Sequence, residues 1–508
     1  MSDPNTRRIA KNTVMLYMRT LFVMVISLYT SRIVLRALGV DDYGIYGVVG
    51  STVAMFSILS GSLSSAISRF LTFELGRNDK EKLKIVFSTA ITVQIVLAIV
   101  ILLIAETIGL WYVNNKMVIS PDRLFAANWV FQFSIVTFVI GLISVPYNAA
   151  IVAHERMSAF AYIGIFEALA KLLVAYLIST TAKDRLILYG FLLMMIALIV
   201  RLIYGIYCRR KFEECTYLLV YDRKLLKEMT SFAGWNFIGA SSSQLMSQGV
   251  NLLANNYYGL VINAARGIAT QVDSMSVSFV NNFTTAVNPQ ITKSYAAGEN
   301  DYLHYLIFRS AKFSYFLVMF FAIPIMGETT FLLNLWLDNI VPEHTVTFVR
   351  LALVASMIQV LSNPMITAML ATGNIKKYQI IVGSIGLLVL PITWLFFHWG
   401  FPPEIAYITI VFVFICQLVC RLYLMRSMIG LSIKRFVREV LLKIAAVNAL
   451  AMPIPLILCV YMEDGWLRFL LVGFASVISS GLSIFHIGLG INEKKFLLNI
   501  FQKIKIWP

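Results

Sequence analysis

The chain has 508 residues, 59% of them hydrophobic, and its 42 lysines and arginines against 26 acids give a net charge of +16. A mean hydropathy of +0.79 is more than a soluble core of this size needs, which excludes a soluble globular enzyme. The positive charges lie in separate short gaps between apolar stretches, so they do not read as a nucleic-acid footprint.

The apolar stretches predict an all-α membrane protein. Fourteen helices are expected near 13–37, 43–72, 85–113, 124–152, 157–180, 185–208, 230–257, 260–289, 310–335, 345–372, 378–399, 403–428, 441–461 and 466–490. Each run is about 20 residues or slightly longer, enough to cross a ~30 Å hydrocarbon layer as helix. The runs are continuous rather than alternating, which favours helices over a barrel. With Arg7, Arg8 and Lys11 assigned to the cytoplasm, every second gap is rich in base; cytoplasmic gaps collect about 28 Lys/Arg and the others roughly 5, among them Lys116, Arg123 and Lys183. An even helix number places both termini in the cytoplasm, and the basic gaps also suit anionic membrane lipids.

The first stretch is too long for a cleavable signal peptide. Cys208, Cys215, Cys416, Cys420 and Cys459 show no metal-ligand spacing with histidine and read as buried free thiols. The tail Glu493–Lys505 sets Phe496, Leu497, Ile500, Phe501 and Ile504 against lysines, the pattern of an interfacial amphipathic helix. The longest gap, 209–229, is about 20 residues, too short for a soluble domain by the ordinary size of domains. Transport is therefore a better class than catalysis, and no metal ligand set or catalytic residue is expected.

Helix four carries Ser144, Pro146, Ala150 and Ala153; helix ten carries Ser362, Pro364, Ala368 and Ala371. Both read S-x-P-x-x-x-A-x-x-A, offset by six helices, and LGVDDYGIYG (38–47) is echoed by YGLVINAARG (258–267). A parallel repeat follows: two six-helix lobes related by an axis along the membrane normal. The expected organisation is an N-lobe over 1–208 (helices one to six), a cytoplasmic linker over 209–229, and a C-lobe over 230–430 (helices seven to twelve). Helices thirteen and fourteen and the tail occupy 431–508.

A charge at a helix centre costs roughly 2.5–3.5 kcal/mol to insert, so it persists mainly where it faces protein or a wet cavity. Arg19 lies inside the first helix, either facing such a cavity or snorkelling to the surface. Arg32 and Arg36 have Asp41 and Asp42 as plain partners. Glu167 and Lys171, four residues apart, form either an intrahelical pair or part of a lining. Gln244, Gln248, Asn251 and Asn255 stripe helix seven, and Arg266, Thr270, Asp273, Asn281, Thr284 and Asn288 stripe helix eight. Two adjacent polar stripes suggest a water-filled cavity, with interhelical hydrogen bonding as the alternative. The candidate substrate-binding residues are Arg19, Glu167, Lys171, Gln244, Gln248, Asn251, Arg266 and Asp273. Arginine suits phosphate and amides suit hydroxyls, so the expected cargo is anionic and sugar-bearing.

The opening N-T-V-x-x-Y-x-R…R-x-L-G-V-x-D-Y-G-I-Y, running from Asn12 to Tyr46 with Arg19, Leu38, Gly39, Asp42, Tyr43 and Gly44 in place, resembles the polysaccharide flippases of the MOP superfamily. The Wzx-like O-antigen and capsule branch is the nearest, ahead of lipid II flippases and MATE drug exporters. The resemblance implies flipping of undecaprenyl-pyrophosphate-linked oligosaccharide from the cytoplasmic to the periplasmic leaflet of a bacterial inner membrane, through a cationic cavity between lobes in a rocker-switch cycle. It also implies other polysaccharide assembly proteins as partners, and no nucleic acid. No cofactor is implied; coupling to protons or sodium, with Glu167 and Asp273 as deep sites, stays open. Two alternatives remain: a MATE-type cation-coupled exporter, short here of intramembrane carboxylates, and a glycan polymerase or ligase, short here of a large periplasmic loop.

Overall fold

The computed structural model describes residues 4–54, 57–115, 119–181, 184–218, 222–258, 260–336, 341–490 and 493–494. The tail helix beyond Lys494, and Lys116 and Lys183, lie outside them. The described residues are helical throughout, joined by short turns, with no strand among them. In chain order the helices are α1 (Pro4–Ala54), α2 (Ser57–Arg77), α3 (Lys80–Asn115), α4 (Pro121–Ala153), α5 (Met157–Thr180), α6 (Arg185–Lys211) and α7 (Arg223–Tyr258). They continue as α8 (Leu260–Ala296), α9 (Asn300–Gly327), α10 (Thr345–Thr372), α11 (Lys376–His398), α12 (Ile405–Ile429), α13 (Ile433–Tyr461) and α14 (Trp466–Gly488). Ten of these, α3 to α6 and α9 to α14, are long and apolar enough to cross a membrane.

Two boundaries depart from the expectation. The break between the first two apolar stretches is a single residue, Gly39, whose φ of 80° and ψ of 171° interrupt an otherwise helical run. A positive φ carries no Cβ penalty in glycine, so the motif L-G marks a bend rather than a loop. The helix expected over 310–335 instead runs from Asn300 to Gly327, and a separate short helix covers Thr329–Trp336. The polar start Asn300–Arg309 is helical because its apolar residues Leu303, Leu306 and Ile307 bury on one face, while Glu328 caps the far end.

The chain forms two compact units, Ala10–Phe237 and Ile238 onward with Met1–Ile9. In lipid the tails are as apolar as leucine, so helices associate through close packing of small residues rather than by escape from water. The first unit shows this along α4, where Ala126, Ala127, Ala149, Ala150 and Ala153 are all buried, and along α5, where Ala161, Gly164, Ala168 and Ala175 point inward. The opposite face of α5 exposes Tyr162, Phe166, Leu169, Leu173 and Leu177. A π-turn at Ala105–Gly109 brings α3 against Phe131, and a Cβ on Gly109 would stand 2.7 Å from that ring. This corner is the core of the first unit: Val49, Val53, Ala105, Val113, Val130, Phe131, Ile135 and Leu186 bury together.

The segment after α6 is strapped to the first unit. Phe212 stacks on His154 with ring centroids 4.1 Å apart, and His154 Nε2 meets the Glu214 carboxylate at 2.5 Å. The Leu218 amide donates to Ser88 Oγ at 3.1 Å, and Cys208 and Cys215 are buried free thiols. The Cys215 thiol pKa is pushed up by its hydrogen bond with Cys208 and by burial.

In the second unit, α13 and α14 are tied to α9 at both ends. Arg468 makes two bonds to Glu328, 2.9 and 3.1 Å, while Lys312 and Arg309 reach Glu493 at 3.3 and 2.9 Å. Between them Asn448 donates to the Tyr315 hydroxyl at 2.6 Å, and α14 buries Ser476, Ser479, Ser480 and Ser483.

Candidate functional sites

Much of the opening motif proves to be structural. Asn12 donates to the Glu155 carbonyl at 3.1 Å, holding the left-handed turn after α4. On either side of Gly39, Leu38, Ile45 and Tyr46 pack on the α3–α4 core, and Tyr46 meets Tyr189 edge-on with centroids 5.0 Å apart. Asp42 is held by both ends of the Arg123 guanidinium, at 2.8 and 2.6 Å. Asp42 is thus held by a cation 81 residues away rather than by the nearby Arg36, and the side chain of Arg32 lies outside the described residues. Arg123 also bonds Asp184, which caps α6 by accepting from the Leu186 and Ile187 amides. Partial burial pushes the Asp184 carboxyl up, but the Arg123 hydrogen bond, the amides and the Arg123 charge outweigh it and hold the group below its ordinary value.

Arg19 is the motif residue without such a role. Its guanidinium lies over the Phe160 ring of α5, 4.5 Å from the centroid, in a slot opened by Gly164. A Cβ there would approach Arg19 Nε to 2.3 Å, and Nε has no hydrogen-bond partner among the described residues. One turn further along α5, Lys171 bonds Glu167 at 2.6 Å, both half exposed. Tyr204 of α6 is within electrostatic reach of Arg19 and Glu167, so these charges share one part of the first unit.

In the second unit the two polar stripes face each other. Arg266, 6% exposed, donates through Nε to Asn251 Oδ1 at 2.7 Å, and Asn251 in turn donates to Gln248 Oε1 at 3.2 Å. The guanidinium carbon lies 5.0 Å from the Tyr407 ring centroid. Among the described residues Arg266 Nη1 has no hydrogen-bond partner, and two turns along α8 the Asp273 Oδ1 has none either. Gln244, one turn before Gln248, is exposed. The side chain of Asn255 lies outside the described residues. An unpaired buried donor costs about 1–3 kcal/mol, more for a charged group.

Two further arginines escaped the sequence reading. Arg201 of α6 stacks on Tyr147 of α4, 3.9 Å from the ring centroid, and Arg69 of α2 lies over Phe70, Phe73 and Phe232. The signal for Arg201 was depth: it precedes the basic cluster Arg209–Lys211 by two helical turns, about 12 Å. Arg421 of α12 is buried and donates to Ser362 Oγ at 3.2 Å.

The fold is similar to that of solved transporters. A multidrug resistance MATE family transporter of the MOP superfamily, in an outward-facing conformation, superposes with a TM-score of 0.71 at 12% identity, over 85% of this chain and 99% of that one. A MATE protein in its bent conformation gives 0.71 at 12%, over 85% and 98%. A MOP superfamily transporter from Pyrococcus furiosus, described by the reverse polarity of its binding pocket, gives 0.68 at 12%, over 85% and 99%. No curated protein matches in sequence. The multi-pass membrane architecture and the resemblance read from the opening motif therefore stand. A family model described as polysaccharide biosynthesis protein matches residues 9–295, more than half the sequence, and the chain belongs to that family.

Proposed function

We propose that the protein is a flippase that moves undecaprenyl-pyrophosphate-linked oligosaccharide across the bacterial inner membrane by alternating access, for lipopolysaccharide O-antigen or capsule assembly. The observation that carries this reading is Arg266: buried, held by an amide rather than a carboxylate, and with an Nη1 donor that has no partner among the described residues. A cation-exporting pocket would want the opposite polarity, whereas guanidinium matches the paired oxygens of a phosphate. In this reading Arg266, Arg19 and Lys171 receive the pyrophosphate. Gln244, Gln248 and Asn251 hold glycan hydroxyls, Asp273 is a deep carboxylate in reach of the same lining, and Glu167 competes with the anion for Lys171 so that binding and release stay balanced. The Glu167–Lys171 pair supports the last point, since an anion at Lys171 must displace a carboxylate 2.6 Å away.

The topology that goes with this has fourteen spans, α1 supplying the first up to Gly39 and part of the second. Both termini and the 209–229 segment face the cytoplasm, and two six-helix lobes related by a parallel repeat are followed by α13 and α14. Reporter fusions at Lys224 and Lys116 should report opposite compartments. The transport reading is tested by complementing a deletion strain: Arg266→Ala should abolish surface polysaccharide and accumulate the lipid-linked intermediate at normal protein abundance, and Arg266→Lys should restore part of the export. Full export by the alanine variant would sink it.

A further inference from the structure

At one end of the first unit lies a cavity of about 270 Å³ that the transport reading does not use. Part of its lining is the α2–α3 turn, with Glu74, Asp79, Lys80 and Lys84; the rest is His154 and the strapped segment from Lys211 to Glu214. Lys80 begins one apolar helix and Lys211 ends another, so the cavity sits where two membrane-crossing helices reach water.

Its charges are of both signs and incompletely paired. Lys80 is taken by Glu213 at 3.3 Å, and Glu214 by His154 at 2.5 Å. Glu74, 3% exposed, reaches Lys82 through Oε1 at 3.3 Å and leaves Oε2 without a partner among the described residues. Asp79 spends one oxygen on the Lys82 amide at the start of α3. Lys84 and Lys211 have no ion-pair partner among the described residues. Outside those pairs Lys84 and Lys211 stand against Asp79 and the second oxygen of Glu74, so a simple anion matches only the lysines. A simple cation meets Lys84 and Lys211. A ligand that carries both charges a few ångströms apart satisfies both sets.

We propose that this cavity binds a zwitterionic aminoalkyl phosphate, with the phosphate on Lys84 and Lys211 and the ammonium toward Glu74 and Asp79. Two sources share that chemistry: the headgroup of phosphatidylethanolamine in the adjoining leaflet, and free phosphoethanolamine. Because the strapped segment supplies Lys211 to Glu214, occupancy would also fasten that segment to the body of the first unit.

The test uses the full chain, purified in mild detergent and examined by native mass spectrometry after equilibration with phosphatidylethanolamine, phosphatidylglycerol or phosphatidylcholine, and separately with free phosphoethanolamine. The expected result is retention of phosphatidylethanolamine at least ten-fold above the other two lipids. Glu74→Gln and Lys84→Gln/Lys211→Gln should each abolish that preference while the proteins elute as the wild type does. The lysine variant alters no buried pair, so it remains informative if Glu74→Gln fails to fold. Binding of free phosphoethanolamine without lipid preference would assign the site to the soluble source. Equal retention of all three lipids with no binding of free phosphoethanolamine, or an undiminished preference in the lysine variant, would overturn the proposal.

Discussion

Helices α4 of the first unit and α10 of the second carry one sequence motif and solve it differently. In α4 the backbone stays α-helical through Pro146, and the Ser144 hydroxyl folds back onto the Ile140 carbonyl at 2.8 Å. In α10 the helix tightens to a 3₁₀ turn over Val360–Ser362 and restarts at Asn363 with Pro364 in its first turn, where a missing amide costs little. Ser362 then serves Arg421 of α12, whereas beside α4 the arginine of α6, Arg201, stacks on Tyr147. The opposite ends of these helices repeat the lesson. The residue before α4 proper, Arg123, pairs with Asp184 at the start of α6; the residue before α10, His344, pairs with Glu404 at the start of α12. Position is kept while chemistry changes: a permanent guanidinium–carboxylate bond in one unit, an imidazole in the other. What the motif fixes is the small buried face, since Ala150, Ala153, Ala368 and Ala371 are all buried, and not how the backbone absorbs the proline.

The contrast can be broken by substitution. Arg123→Ala strands Asp42 and Asp184 together and should lower stability by about 2–3 kcal/mol, below the figure for fully buried pairs because the group is partly exposed. His344→Ala should cost about half as much, and equal shifts in thermal midpoint in detergent would erase the distinction. Pro146→Ala should raise the midpoint by the equivalent of about 1–2 kcal/mol, restoring an amide inside a helix, while Pro364→Ala should be nearly neutral. The turns that follow the two helices use Glu155 and Gly373, both at positive φ, 59° and 78°. Gly373→Ala should therefore cost about 1 kcal/mol, and Glu155→Gly should offset its loss of side-chain contacts by relieving the same strain.

The smallest effect is a pH dependence. Asp184 is held below its ordinary value of 3.8, so its contribution is fully present above that pH and is lost as pH falls through the lower folded value. The stability gap between wild type and Asp184→Asn should be constant from neutral pH to about 4 and close below it. A gap that narrows already between pH 7 and 5 would show that the Arg123 clamp is not its source.

Periodicity and hydropathy were enough to place most helices. α5 runs over Met157–Thr180, α10 over Thr345–Thr372 and α14 begins at Trp466, as the spacing predicts. Intrahelical pairs were equally legible, because Glu167 and Lys171 are neighbours by geometry alone. The facing of the stripes was legible too, since amides on α7 and a cation on α8 have few other places to go. What escaped was long-range: Asp42 has acids and bases close in sequence, yet binds Arg123 because the Gly39 bend turns it toward α4. The 209–229 segment reads as a free loop by composition, and nothing in its own residues announces that His154 and Ser88 hold it down.

The bonds from Lys312 and Arg309 to Glu493 set a condition on biosynthesis. Lys312 is 6% exposed, and its carboxylate partner lies 181 residues further along the chain. At ribosomal rates of about 5–20 residues per second, α9 waits roughly 10–40 s for that carboxylate to be made. During that interval the ammonium must stay hydrated at the membrane surface or be shielded by the insertion machinery. A chain that stalls or is cut before Glu493 leaves the Lys312 ammonium without that carboxylate. The second unit therefore closes this pair only after Glu493 is made, through a helix synthesised long before it.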